Sequence, residues 1–152
     1  MASANIEDGE LITVTGQLRS HNLRIDGKRR LLIYIFASNI TFENGDPMNE
    51  VTLEGTLCRD PIFRKTPLGR EICDVMLSVS RGYHRADYLP CILWGQTARL
   101  FSGCVPGNNV RIRGRLQSRE YTKITEDGPV QKTAYEVSAL SGEVLTDLSE
   151  GL

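Results

Sequence analysis

Between Val110 and Arg119 the chain alternates Val110, Ile112, Gly114 and Leu116 with Arg111, Arg113 and Arg115, and Arg119 continues the arginine side. Successive side chains of a strand point to opposite faces, so the apolar residues share one face and the guanidinium groups the other. Same-sign charges spaced about 6–7 Å apart along a strand repel one another unless an anion lies over them, which points to a polyanionic ligand. Tyr83, Tyr88, Trp94 and Tyr121 supply a second ingredient, rings on which bases can stack beside a basic groove, as single-stranded nucleic acid requires. Arg113 and Arg115 are expected to meet phosphates, with Arg111 and Arg119 as outlying members of the row. Arg81, Arg85, Arg64 and Lys65 fall in loops expected to flank the groove.

The net charge of −1 over 152 residues hides a segregation. Residues 51–123 hold twelve Lys/Arg against six Asp/Glu, whereas residues 1–50 hold five against seven and residues 124–152 one against six. The middle is where a phosphate chain is expected. Cys58, Cys73, Cys91 and Cys104 lack a C-x-x-C spacing and read as buried free thiols rather than metal ligands. No stretch is apolar enough to span a bilayer, and Met1–Glu10 lacks the features of a secretion signal, so a soluble, cytoplasmic, nucleoid-associated protein is expected. His21 and His84 have no acid or nucleophile at a telling spacing, and no nucleotide-binding glycine loop or Ser/His/Asp set occurs. Neither catalysis, a cofactor nor a metal is expected.

The elements that must position these residues are strands. Val51–Leu57 and Ile72–Ser80 alternate apolar and polar residues at period two, and Ala86–Trp94 forms a third strand after a short turn. The turn-rich stretch from Arg59 to Gly69 reads as a loop. Gln96–Phe101 allows one or two helical turns before Val105-Pro106-Gly107-Asn108. The arginine strand follows, then a fifth strand through Ala134, Tyr135, Val137 and Ala139 toward Leu145. Five strands with a short helix between the third and fourth is the layout of an oligonucleotide-binding (OB) barrel, an all-β fold. Gly55, Gly95 and Gly114 suit its curvature and close packing.

The N-terminal segment repeats part of this unit. Gly9, Ile12, Val14, Gly16, Leu18 and Ser20 match Gly107, Val110, Ile112, Gly114, Leu116 and Ser118 at a constant spacing of 98, and the apolar run Leu31–Ala37 follows. Residues 1–45 therefore read as strands four and five of a second, partial OB unit, residues 46–145 as a complete one, and residues 146–152 as a short tail. Half a barrel cannot bury its own sheet face. The complete barrel, a second chain or a partner could cover it, and symmetric self-association as a dimer or tetramer is the expected solution.

The motifs Glu50-Val-Thr-Leu-Glu-Gly-Thr-Leu-Cys-Arg-Asp-Pro61, Thr66-Pro-Leu-Gly69, Leu77-Ser-Val-Ser-Arg81, Asp87 to Trp94-Gly95 and Gly114-Arg-Leu-Gln-Ser-Arg-Glu-Tyr121 occur in one order. Over about two-thirds of the chain, this series resembles the bacterial single-stranded DNA-binding protein family. The resemblance implies non-sequence-specific single-stranded DNA binding in replication, recombination or repair. It places Tyr83 and Tyr88 where the family commonly has tryptophans, Trp94 at an aromatic position of strand three, and Tyr121 at the aromatic that closes strand four. Two departures stand out. The hairpin from Arg81 to Ala86 is short, and Thr146-Asp-Leu-Ser-Glu-Gly-Leu152 has neither a glycine-rich linker nor an acidic, phenylalanine-ended tip. Recruitment of replication proteins through such a tip is therefore not expected, and the primosomal replication protein is a related resemblance. An RNA-binding OB module and a protein-interaction scaffold are the other readings, the scaffold requiring the four rings to be buried between chains.

Overall fold

The computed structural model describes residues 5–42 and 45–145. Along the chain come β1 (Thr13–Ile25), β2 (Lys28–Thr41), β3 (Val51–Leu57), β4 (Ile62–Lys65), β5 (Glu71–Gly82), β6 (Arg85–Trp94), α1 (Gly95–Ser102), β7 (Asn109–Thr125) and β8 (Gly128–Val144). Five of the strands close on themselves: β3 pairs with β7, β7 with β8, β8 with β6 in parallel, β6 with β5, and β5 with β3 at Thr56 and Leu57. That circuit, with α1 between its third and fourth strands, is an OB barrel. The expected tail at 146–152 lies outside the described residues.

Alternation fills the barrel. Leu53 and Leu57, Cys73, Val75 and Leu77, Leu89, Cys91 and Leu93, Val110 and Ile112, and Val137 and Ala139 all point inward and are buried. Ala98 and Phe101 of α1 join the same cluster, so the helix packs its apolar side onto this core. Burying a side chain the size of Phe101 contributes roughly 1.5–3 kcal/mol relative to leaving it in water.

The Arg59–Gly69 stretch is not only a loop. It contains β4, which adds to the edge of β5 with Ile62 opposite Asp74 and Lys65 opposite Glu71. Four exposed residues between Asp60-Pro61 and Thr66-Pro67 give too short an alternation to read against those turn signals. The thiols also divide: Cys73 and Cys91 are buried, whereas Cys58, just past the end of β3, is exposed and Cys104 is half-buried.

The β1–β2 ribbon matches β7–β8 beyond its apolar spacing. Both have an irregular register at the same relative place, between Thr15 and Gly16 and between Arg113 and Arg115. The reason is shared. A Cβ on Gly114 would lie 2.1 Å from the Ser138 carbonyl oxygen, and one on Gly16 would lie 2.2 Å from that of Phe36. Each glycine lets its strand approach the neighbouring backbone where any side chain would force them apart.

The ribbon docks on the barrel of its own chain. Leu18 and Ile33 pack against the core cluster, and the edge of β1 is capped at Ser20. Its N–H donates to Asp87 Oδ1 at 2.9 Å, its hydroxyl oxygen accepts from the Tyr88 N–H at 2.7 Å, and its carbonyl accepts from Arg81 Nη2 at 3.5 Å. The barrel thus provides part of the cover expected from a second chain. Val14, Ile35 and Ile40 remain exposed.

Candidate nucleic-acid interface

Strand parity places Tyr88, Pro90, Ile92 and Trp94 on the outer face of β6, because Asp87, Leu89, Cys91 and Leu93 fill the interior. Trp94 stands opposite Ile72 of β5 and donates its indole N–H to Ser138 Oγ of β8 at 2.9 Å. Its polar edge is satisfied within the protein, and the side chain is only partly covered. Beside it runs a groove of about 950 Å³ whose lining includes Arg113 and Arg115 of β7, Arg70 at the start of β5 and Arg99 of α1.

The arginine row is divided by its partners. Arg111 lies between two carboxylates, with Nε 2.6 Å from Glu54 and Nη1 2.7 Å from Glu143, and these two hydrogen bonds raise its pKa further. Arg119 bonds the buried Glu136 at 3.0 Å and lies 5.9 Å from the Tyr121 ring. Arg64 pairs with Asp74 at 2.7 Å. Arg81 is directed at Asp87 and Ser20 and joins barrel to ribbon rather than bordering the groove. Burial works against the Asp87 carboxylate, yet the hydrogen bonds from Arg81 and the Ser20 N–H hold its pKa below the ordinary aspartate value. Arg113 and Arg115 are exposed and have no carboxylate within salt-bridge distance among the described residues. The repulsion expected along the row is therefore relieved at both ends and persists at its centre.

Of the residues singled out in the sequence, the structure brings Trp94, Arg113 and Arg115 together in the groove. Tyr88 lies farther along the same face, six residues or about 20 Å of strand from Trp94. Tyr83 occupies the tip of the β5–β6 hairpin, 98% exposed, with Arg85 beginning the next strand. Tyr121 does not close a strand, since β7 runs on to Thr125, and its ring lies on the arm that β7 and β8 form. Lys65 and Arg64 lie on the edge strand β4. Sequence reasoning missed Arg70 and Arg99. Arg70 directly follows the Thr66–Gly69 turn, a signal that was available, whereas Arg99 reaches the groove only through the placement of α1, where it pairs with Glu71 at 3.0 Å. A ring with its polar atom bonded, next to cations lacking carboxylate partners, is equipped to stack a base and hold phosphates without any bond-making step.

The fold and groove define an OB-fold module of the single-strand-binding type. The profile of the Single-strand binding protein family matches residues 48–145, and the chain belongs to that family. It is 38% identical over 80 residues to single-stranded DNA-binding protein B of Bacillus subtilis, covering 48% of this chain and 71% of that one. A single-stranded DNA-binding protein of Oceanobacillus iheyensis is 30% identical over 104 residues, covering 64% of this chain and 62% of that one. The crystal structure of wild-type single-stranded DNA binding protein from Thermus aquaticus superposes with a TM-score of 0.75 at 28% identity, covering 93% of this chain and 62% of that one. Against the Oceanobacillus and Thermus proteins, this chain spans less than two thirds of the relative's length. Coverage of 93% leaves too few residues outside the superposition to exclude the N-terminal ribbon, which the family profile does not include. No helix among the described residues is long and apolar enough to cross a membrane.

Proposed function

We propose that this protein binds single-stranded DNA with little sequence preference, in replication, recombination or repair, as a binding protein rather than an enzyme. The observation that carries this reading is the convergence of Trp94, Arg113 and Arg115 on one groove. Family membership and the names of its relatives support it. Bases stack on Trp94, and on Tyr88 and Tyr83 farther out, while Arg113, Arg115 and Arg70 meet phosphates and Lys65 and Arg85 add outlying charge. A cytoplasmic, nucleoid-associated protein fits the activity.

The test is titration of Trp94, the single tryptophan, with oligothymidine at two salt concentrations. Quenching is expected. With three to five cations lacking a carboxylate partner, the slope of log K against log salt should be about −2 to −3.5, at roughly −0.7 per phosphate neutralised. A binding constant indifferent to salt would overturn the mechanism, and equal competition by an RNA oligomer of the same sequence would remove the preference for DNA.

Self-association belongs to the same reading. Residues 12–18, at the start of β1, match the edge of β7 that β3 pairs with and that Asn49 caps through both backbone groups of Leu116, at 2.7 and 2.9 Å. In the ribbon that edge is unpaired and the apolar residues Val14, Ile35 and Ile40 are exposed, and a second copy of the chain is the cover inferred for them. Light scattering should show an oligomer that Ile35→Glu dissociates.

A further inference from the structure

The register Gln17–Phe36, Arg19–Tyr34, His21–Leu32, Leu23–Arg30 and Ile25–Lys28 defines one face of the β1–β2 ribbon, the one opposite Leu18, Ser20 and Ile33. On it the Arg19 guanidinium lies over the Phe36 ring, 3.8 Å from the centroid. Tyr34 stands directly across from Arg19, and Arg30 and Lys28 continue toward the tip. From Thr13 to Thr41 the ribbon carries five Lys/Arg against Asp26, which sits in the turn. None of the five has a carboxylate within salt-bridge distance among the described residues. The acidic balance of residues 1–50 therefore masks a basic ribbon flanked by acidic segments.

This face meets the barrel at Tyr34 and Arg19 and then runs outward, and an exposed aromatic ring among its cations needs its own explanation. A ribbon serving only to prop the barrel would press both its rings inward, yet only Tyr34 reaches the barrel, beside Arg81, while Phe36 is 53% exposed. A guanidinium already stacked on a ring offers a flat cationic surface to a base, and cations without carboxylate partners offer themselves to phosphates. The face also begins where the groove's path leads. Ser20 is bonded to the backbone of Tyr88, the outer-face ring of β6, and from Phe36 to Lys28 the ribbon extends about 27 Å at 3.4 Å per residue.

We propose that this outer face is a second contact surface for the same single strand, continuing past Tyr88 from the groove at Trp94. The proposal rests on the single-strand reading of the groove, and it adds a surface outside the segment that the family profile matches.

The full-length chain, Arg19→Ala/Lys28→Ala/Arg30→Ala and Phe36→Leu are titrated with oligothymidines of increasing length, reading Trp94 fluorescence and affinity, with light scattering on the same samples. Short oligomers should quench Trp94 equally in all three proteins. With long oligomers the unaltered chain should keep gaining affinity with length. The triple variant should level off early, its salt slope smaller by about 2, and Phe36→Leu should lose about fivefold or more. Length and salt profiles identical in the three proteins would overturn the second surface. So would a loss of long-oligomer affinity that scattering traces to a changed oligomeric state, which would make the face a contact between copies. Absence of any Trp94 response and of any binding in all three proteins would instead remove the groove reading on which the proposal stands.

Discussion

Arg111 and Arg115 lie on the same strand and the same face, yet the surroundings give them different work. Arg111 is held by Glu54 and Glu143, so an arriving phosphate must displace a carboxylate before gaining anything, whereas Arg115 faces the groove with no such competitor. Arg115→Ala should reduce the salt slope of oligothymidine binding by about 0.7 and lower affinity, while Arg111→Ala should leave the slope nearly unchanged. Fluorescence titration of each variant at three salt concentrations checks the pair. The alternation of the arginines was legible along the sequence because strand parity is local. Their neutralisation was not, because Glu54 and Glu143 lie 57 and 32 residues from Arg111 and meet it only through the closed sheet.

Among the elements, the β5–β6 hairpin pairs Gly82 with Arg85 across a two-residue turn in which Tyr83 and His84 have φ of 52° and 60°. Left-handed backbone at non-glycine residues costs roughly 1–2 kcal/mol each, and two in succession make a type I′ turn that Asn-Gly would form with less strain. Tyr83→Asn/His84→Gly is therefore expected to stabilise the protein by about 1–2 kcal/mol in urea unfolding and to weaken DNA binding by about 1–3 kcal/mol through the lost ring. A variant that is more stable and binds unchanged would show that Tyr83 does not stack. The other hairpin of this type, at Asp26-Gly27, has the residues such a turn favours. Most strands were legible because one face of each is buried against a single core, which enforces period two. β4 was not, since an edge strand of four exposed residues carries no such signature. Nor did the long β7–β8 arm declare itself, because beyond Gln117 both faces meet water and the alternation fades. Of the candidate site, the ring at Trp94 and the cations at Arg113 and Arg115 could be placed from sequence, while Arg70 and Arg99 depended on how the turn and helix close over the groove.

At the scale of the molecule, ribbon and barrel are joined by a charged contact rather than by core alone. The Asp87 pKa is depressed in the folded protein, so its stabilisation is fully present above the ordinary aspartate value of about 3.9 and is lost as pH falls below it. The melting temperature of the unaltered chain should fall more steeply below pH 4 than that of Asp87→Asn, and the Ser20 amide should exchange faster with solvent over the same interval. Equal acid sensitivity of the two proteins would place the acid-labile contact elsewhere.

The shared geometry of the two ribbons also bears on how the chain reaches its native state. During synthesis β1 and β2 are complete before β3 is made, and β3 precedes its proper neighbour β7 by more than fifty residues. A nascent β3 therefore first meets an edge at positions 12–18 that repeats the pattern of its eventual partner. Pairing there is local and fast, while pairing with β7 must wait for a distant loop to close. What favours the correct outcome is the closed interior that the later partner completes, in which Leu53 and Leu57 join Val110 and Ile112. The β7-like edge of the ribbon thus gives this chain a rival for one of its own strands, and burial of the core decides between them.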